Sequence, residues 1–302
     1  MRKLKYHLVD VFTDQPFGGN QLAVFPDGPS IPSELMQRIA KELNFSESTF
    51  IFPPKNPKND AWVRIFTPAR ELPMAGHPTV GTTFVLVKEK LLKRAGNVTE
   101  ITLEEGVGDI SVSIDWNENK PDLITMTQPH PKFGSIFPDR ELIAEMLSIH
   151  SSGLHPDYPL EVVSCGLPYL IVPIVNLKTI QSIKLRLDLW KKHLKHYESD
   201  HIFVFTTETE RKSSTVHCRM FAPSAGVLED PATGSASGPL GCYLVKHDIV
   251  PPAKSERIIS EQGFEIGRPS ILHIGIGLQN NKITAVRVGG QCVYMGEGYL
   301  HL

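Results

Sequence analysis

Cysteine is scarce in this chain. Its 302 residues hold four, Cys165, Cys218, Cys242 and Cys292, far apart and with no C-x-x-C pair. That spacing argues against a disulfide framework and fits a reducing, cytoplasmic compartment. Long apolar runs are missing as well. The most apolar stretch, Tyr169 to Leu177, is broken by Pro173 and covers about half of the roughly twenty residues a membrane span needs. The opening Met1-Arg-Lys-Leu-Lys, followed by His7, Asp10 and Asp14, leaves no apolar signal-peptide core. Neither sign of charge is in excess: 31 Lys and Arg against 33 Asp and Glu give a net charge of −2. The broad basic field of a nucleic-acid binder is thereby excluded, and a polybasic membrane anchor is disfavoured. With 41% apolar and 21% charged residues the composition is that of a globular chain able to bury a sizeable core in one large or two smaller domains.

Most apolar segments are short and alternate as strands do, among them Leu8–Phe12, Leu22–Phe25, Thr49–Phe52, Trp62–Phe66, Ile110–Ile114, Leu170–Val175, Ile202–Phe205, Val216–Phe221 and Ile271–Ile276. Helical spacing is rarer. It occurs from Ser33 to Leu43, from Pro138 to Leu147 and, more weakly, from Leu185 to Leu194. Two further segments carry no charge at all, Leu72–Val87 and Pro231–Val245. Each follows a Phe-x-Pro and ends at a lysine, Lys88 or Lys246, which suits a helix C-terminus. A helix uncharged all round is a buried one. The expected fold class is therefore α+β, with mainly antiparallel sheets wrapped around two buried helices.

These two segments also read as an internal repeat about 155 residues apart. Arg64-Ile-Phe-Thr-Pro68 is matched by Arg219-Met-Phe-Ala-Pro223, and Leu103-Glu-Glu-Gly106 is echoed by Ser260-Glu-Gln-Gly263. One register sets Gly76 opposite Gly234; another pairs His77-Pro78 with Asp230-Pro231. Either way the chain reads as two related lobes flanking a cleft, residues 1–120 and 121–302, with the last strand free to return to the first lobe.

The chemistry is expected at the starts of the buried helices. The first N–H groups of a helix lack intrahelical partners and favour an anion. Gly76 and Gly234 let a small carboxylate approach the backbone, or else serve only tight packing of helix on sheet. His77 stands at the first start and Asp230 just ahead of the second. The bland reading makes the histidine a capping or core residue and the aspartate an N-cap or Asx-turn residue. Glu47, in Asn44-Phe-Ser-Glu-Ser-Thr49, sits between a helix and a strand. Exposed, it is an ordinary surface group; turned into a closed cleft, it becomes a carboxyl able to accept and donate a proton. His193 and His196 lie on a charged stretch and read as solvated. No H-E-x-x-H, zinc-ligand spacing, calcium loop, nucleophile elbow or phosphate-loop pattern occurs, so no metal or nucleotide is called for.

At these residues the sequence resembles the PhzF family of phenazine biosynthesis, within the diaminopimelate-epimerase-like fold. The likeness runs nearly end to end and is densest at Asp10–Phe25, Asn44–Phe50, Arg64–Pro68, Leu72–Pro78, Arg219–Ala236 and Gln262–Ser270. It implies two pseudo-symmetric lobes, each a mixed, mainly antiparallel barrel-like sheet around a central helix, and a homodimer. It further implies an isomerase of trans-2,3-dihydro-3-hydroxyanthranilate that needs no cofactor. On that resemblance Glu47 shuttles the proton and His77, Asp230 and Ser235 hold the substrate and assist, while Gly76 and Gly234 offer backbone N–H groups to its carboxylate. The racemases of the fold place a cysteine at each helix start. Here those positions fall on Ala75 and Thr233, so two-thiol chemistry is not expected. A second class of reading, a small-carboxylate binding protein that keeps the cleft without turnover, shares the same residues.

Overall fold

The computed structural model describes residues 3–302; Met1 and Arg2, part of the charged opening noted above, lie outside it. It divides into two compact units, one running to Thr127 and completed by Val288–Leu302, the other spanning Gln128–Arg287. Among the described residues no helix is long and apolar enough to cross a membrane.

The first unit contains β1 (Lys3–Val11), β2 (Asn20–Phe25), α1 (Ser33–Leu43), β3 (Glu47–Phe52), β4 (Ala61–Phe66), the short β5 (Glu71–Leu72), α2 (Gly76–Lys88), β6 (Val98–Glu105), β7 (Gly108–Asn117) and β8 (Lys120–Gln128). The β8 strand pairs with β7 as a hairpin, so the unit runs past the boundary expected at residue 120. Most neighbours are antiparallel. The exceptions are β2 with β3 and β4 with β6, each a parallel pair joined through a helix, α1 and α2 respectively. Leu43 is followed by Asn44 in the left-handed conformation, a common way to end a helix, and the chain then turns directly into β3.

The second unit contains β9 (Lys132–Ile136), α3 (Arg140–Met146), β10 (Glu161–Ser164), β11 (Pro168–Pro173), α4 (Leu177–Ser182), α5 (Leu187–His193), β12 (Ile202–Thr206), β13 (Val216–Ala222), β14 (Val227–Asp230), α6 (Gly234–Lys246), β15 (Ile258–Gln262), β16 (Ser270–Gln279) and β17 (Lys282–Gly290). The last two are joined by Asn280-Asn281, both at positive φ, as a two-residue hairpin requires. The remaining strand, β18 (Cys292–His301), belongs to the first unit, where it pairs antiparallel with β1 from Lys3–His301 to Val11–Cys292.

The units repeat one plan. In the first the strands run β18-β1-β2-β3-β4-β6-β7-β8; in the second, β9-β10-β11-β12-β13-β15-β16, and on through the hairpin into β17. Parallel pairs fall at matching places, β11 with β12 and β13 with β15. The central helices match too, each thirteen residues long and largely buried. This is the α+β, two-lobed pseudo-symmetric architecture expected.

Side-chain contacts fix the register that sequence left open. Arg64 grips Glu71 through both carboxylate oxygens at 2.7 and 2.8 Å, and Arg219 grips Glu229 the same way at 2.8 Å for both. Glu104 accepts the backbone N–H groups of Lys55 and Asn56; Glu261 accepts those of Glu210 and Arg211. Thr79 Oγ1 reaches Ala75 O at 2.7 Å, as Ser237 Oγ reaches Thr233 O at 2.9 Å. Gly76 therefore corresponds to Gly234, and Ala75 to Thr233.

Candidate active site

In the first unit, Glu47 opens β3 opposite Leu22 of β2, and its side chain is 14% exposed. The strand is tied to α2 by a buried 2.8 Å hydrogen bond between the hydroxyls of Thr49 and Thr82. That tie places the carboxyl beside the start of the helix, where Glu47 Oε2 lies 3.3 Å from His77 Nε2. His77 is buried, which pulls its pKa down to about 3. The ring is therefore neutral near pH 7, and a neutral ring can face the carboxyl as an N–H donor or as an acceptor. The approach is one of polar partners, not a fixed ion pair.

The helix start itself is bare. Ala75 occupies the N-cap and has no side-chain hydrogen bond to give. The Gly76 and His77 N–H groups precede the first intrahelical bonds, and Pro78 has no N–H at all. Two donors and the positive end of the helix dipole are left for an anion.

The second unit repeats this. Thr233 is the N-cap of α6, and here too no side chain caps the backbone. Asp230 therefore does not act as the N-cap. It ends β14, is buried, and accepts from Thr233 Oγ1 at 2.5 Å. Ser235, at the second helical position, shares a 2.6 Å hydrogen bond with Tyr169 of β11, also buried. The carbonyl of Gly234 accepts from Gln128 at 2.8 Å. Among the described residues no group of three or more His, Cys, Asp or Glu is placed to hold a metal ion, and His193 and His196 are exposed.

The structure thus brings Glu47, His77 and Gly76 together in one unit, and Asp230, Gly234 and Ser235 in the other. Sequence reasoning missed Tyr169 and Gln262. Gln262 receives the Thr233 N–H at 3.2 Å and donates to Asp230 O at 2.7 Å and Thr233 Oγ1 at 3.0 Å. The echo Ser260-Glu-Gln-Gly263 was the available signal for it. A third omission is the counterpart of Glu47. Counting three residues back from the partners of Arg64 and Arg219 (Phe50 and Val204) reaches Glu47 in one unit and His201 in the other. The acid is present in only one copy of the repeat.

Comparison with known proteins identifies the family of the chain. The family model described as phenazine biosynthesis-like protein, PhzC-PhzF, matches residues 9–298. A Clostridium acetobutylicum protein named an uncharacterized isomerase is 33% identical over the whole chain and 99% of its own length. The trans-2,3-dihydro-3-hydroxyanthranilate isomerase of Pseudomonas fluorescens is 35% identical, covering 98% of this chain and 99% of that one. The crystal structure of a PhzF-family phenazine biosynthesis protein from Bacillus anthracis superposes over 100% of both chains with a TM-score of 0.87 at 28% identity. With the family model spanning nearly the whole chain and relatives of this closeness being isomerases, the chain belongs to the phenazine biosynthesis-like PhzF family and is an isomerase.

Proposed function

We propose that this isomerase moves a proton on a small cyclic or unsaturated carboxylic acid akin to the one named for its Pseudomonas relatives, trans-2,3-dihydro-3-hydroxyanthranilate, with Glu47 as the general acid/base. The observation that carries this reading is the half-buried Glu47 carboxyl, 3.3 Å from a neutral imidazole, at an uncapped helix start. Shifting a proton between carbons needs one group that is first base and then acid. A carboxyl does both in turn, with no cofactor taking part. His77 steadies Glu47 in either state, as donor to the carboxylate or as acceptor from the acid. The N–H groups of Gly76 and Gly234, with Asp230 and Ser235, hold the substrate and its carboxylate. We further take the working enzyme to be a cytoplasmic homodimer.

Solvent-deuterium exchange into candidate acids, trans-2,3-dihydro-3-hydroxyanthranilate first, tests the assignment. Glu47→Gln keeps shape and hydrogen bonding but cannot carry the proton. Exchange is expected to slow about 10²–10⁴-fold with substrate affinity nearly unchanged. Full-speed turnover by this variant would remove Glu47 from the role.

A further inference from the structure

Glu105, the last residue of β6, is a buried carboxyl that the mechanism above does not use. Its Oε1 lies 2.5 Å from Thr79 Oγ1, in the first turns of α2. That same hydroxyl is 2.7 Å from Ala75 O at the N-cap. A threonine hydroxyl has one proton and cannot donate to both. Ala75 O is a carbonyl and can only accept. The two contacts coexist if Thr79 donates to Ala75 O and Glu105 donates to Thr79, which requires the acid to be protonated. Glu105 Oε2 is buried with no hydrogen-bond partner, a place where a negative charge would be costly.

The repeat gives independent support. Glu105 occupies the place of Gln262, whose side chain donates to Thr233 Oγ1 and Asp230 O at the start of α6. Gln262 is a neutral donor, and a protonated glutamic acid is the nearest neutral donor of the same shape.

We propose that Glu105 is held as a neutral acid whose proton, passed as a hydrogen bond to Thr79, fixes the first turn of α2 and so positions the Gly76 and His77 groups. It is a positioning residue, and its service to catalysis rests on the function proposed above.

Burial pushes the Glu105 pKa up to about 8. Asp115 of β7 and Glu100 of β6 lie further along their strands, and the charged groups nearer to it have partners of their own. On β4, Arg64 holds Glu71; on β7, Asp109 accepts from Asn59. Its neighbour Glu104 is satisfied by backbone amides, and on α2 His77 is neutral while Lys88 lies over the Tyr294 ring. The donor is therefore present below about pH 8 and lost as pH rises through it.

The test uses Glu105→Gln, which supplies the donor without titrating. In the wild-type protein the backbone amide NMR signals of Gly76 and His77 are expected to shift with one inflection near pH 8; the His77 ring, near 3, cannot produce it. In Glu105→Gln they should stay at their low-pH positions up to pH 9. In Thr79→Val they should be displaced at every pH, with no inflection. Wild-type kcat/KM should fall about tenfold per pH unit above the inflection, and Glu105→Gln should hold its value there. Flat wild-type signals between pH 7 and 9, or a Glu105→Gln variant as displaced as Glu105→Ala, would overturn the inference. If the signals titrate as expected while no acid exchanges deuterium, Glu105 keeps its hold on the helix and the proposed reaction fails instead.

Discussion

Two buried histidines show how one side chain acquires opposite properties from its surroundings. For His77, at 3.3 Å from Glu47, desolvation prevails and the ring stays neutral. His217 is desolvated as well, but its two ring nitrogens lie 2.8 Å from Glu261 and 2.8 Å from Glu265, and these hydrogen bonds outweigh burial and lift it to about 9. A histidine bound more tightly to its proton in the folded state stabilises the fold fully below its unfolded value near 6.5. The contribution fades as pH rises to about 9, and is on the order of 3 kcal/mol over that window. Urea unfolding midpoints of the wild-type protein should fall between pH 6.5 and 9.5, and those of His217→Gln should start lower and fall less. Equal slopes would show that the buried carboxylate–imidazolium–carboxylate row is not charged as described. His77→Ala and Asp230→Ala belong to the other category. Both should weaken carboxylate binding, followed by calorimetry, more than they lower the melting temperature.

The central helices carry glycine where a solvent-facing helix would avoid it. A Cβ on Gly81 would stand 2.6 Å from a Leu22 methyl and 2.7 Å from one of Val11; on Gly241 it would stand 2.6 Å from Ile274. In an exposed helix, glycine to alanine gains about 1 kcal/mol. Here the strands press too closely, and overpacking costs typically about 1–3 kcal/mol. Gly81→Ala and Gly241→Ala should therefore destabilise by about 1 kcal/mol or more in denaturant titrations; stabilisation of either would mean the helix can step away from its sheet. Both helices were legible in sequence because a chargeless segment ending in lysine has few other readings. Their starts were reached through Gly76 and Gly234, since the charge pattern marks no boundary: Leu72–Ala75 and Pro231–Thr233 are as uncharged as the helices they precede. The α4 helix was missed for a different reason: six residues around one buried side chain, Ile180, show no period. The exposed β9 strand left no alternation to read.

At the scale of the molecule, the repeat was visible as matching words, Arg64–Pro68 with Arg219–Pro223, but the pairing of its parts was not. Register depends on which glutamate each arginine grips and which amides each carboxylate gathers, and those partners lie far apart in the chain. Glu47 was reached through its motif, whereas Tyr169 and Gln262 act through side chains that only the fold brings to a helix start. The closing strand adds a separate expectation. β18 covers β1 along nine paired positions, so deleting residues 292–302 should expose β1 and unfold the first unit, seen as loss of the cooperative transition in calorimetry. A truncated protein that melts unchanged would show β18 to be dispensable. Finally, the two copies of the plan differ where it counts for stereochemistry, Glu47 in one and His201 in the other. If a lone carboxyl serves as the ferry, hydrogen must leave and return on the same side of the substrate's plane. A tritium atom carried in at the departing carbon should then partly reappear at the receiving one, the remainder being lost to water.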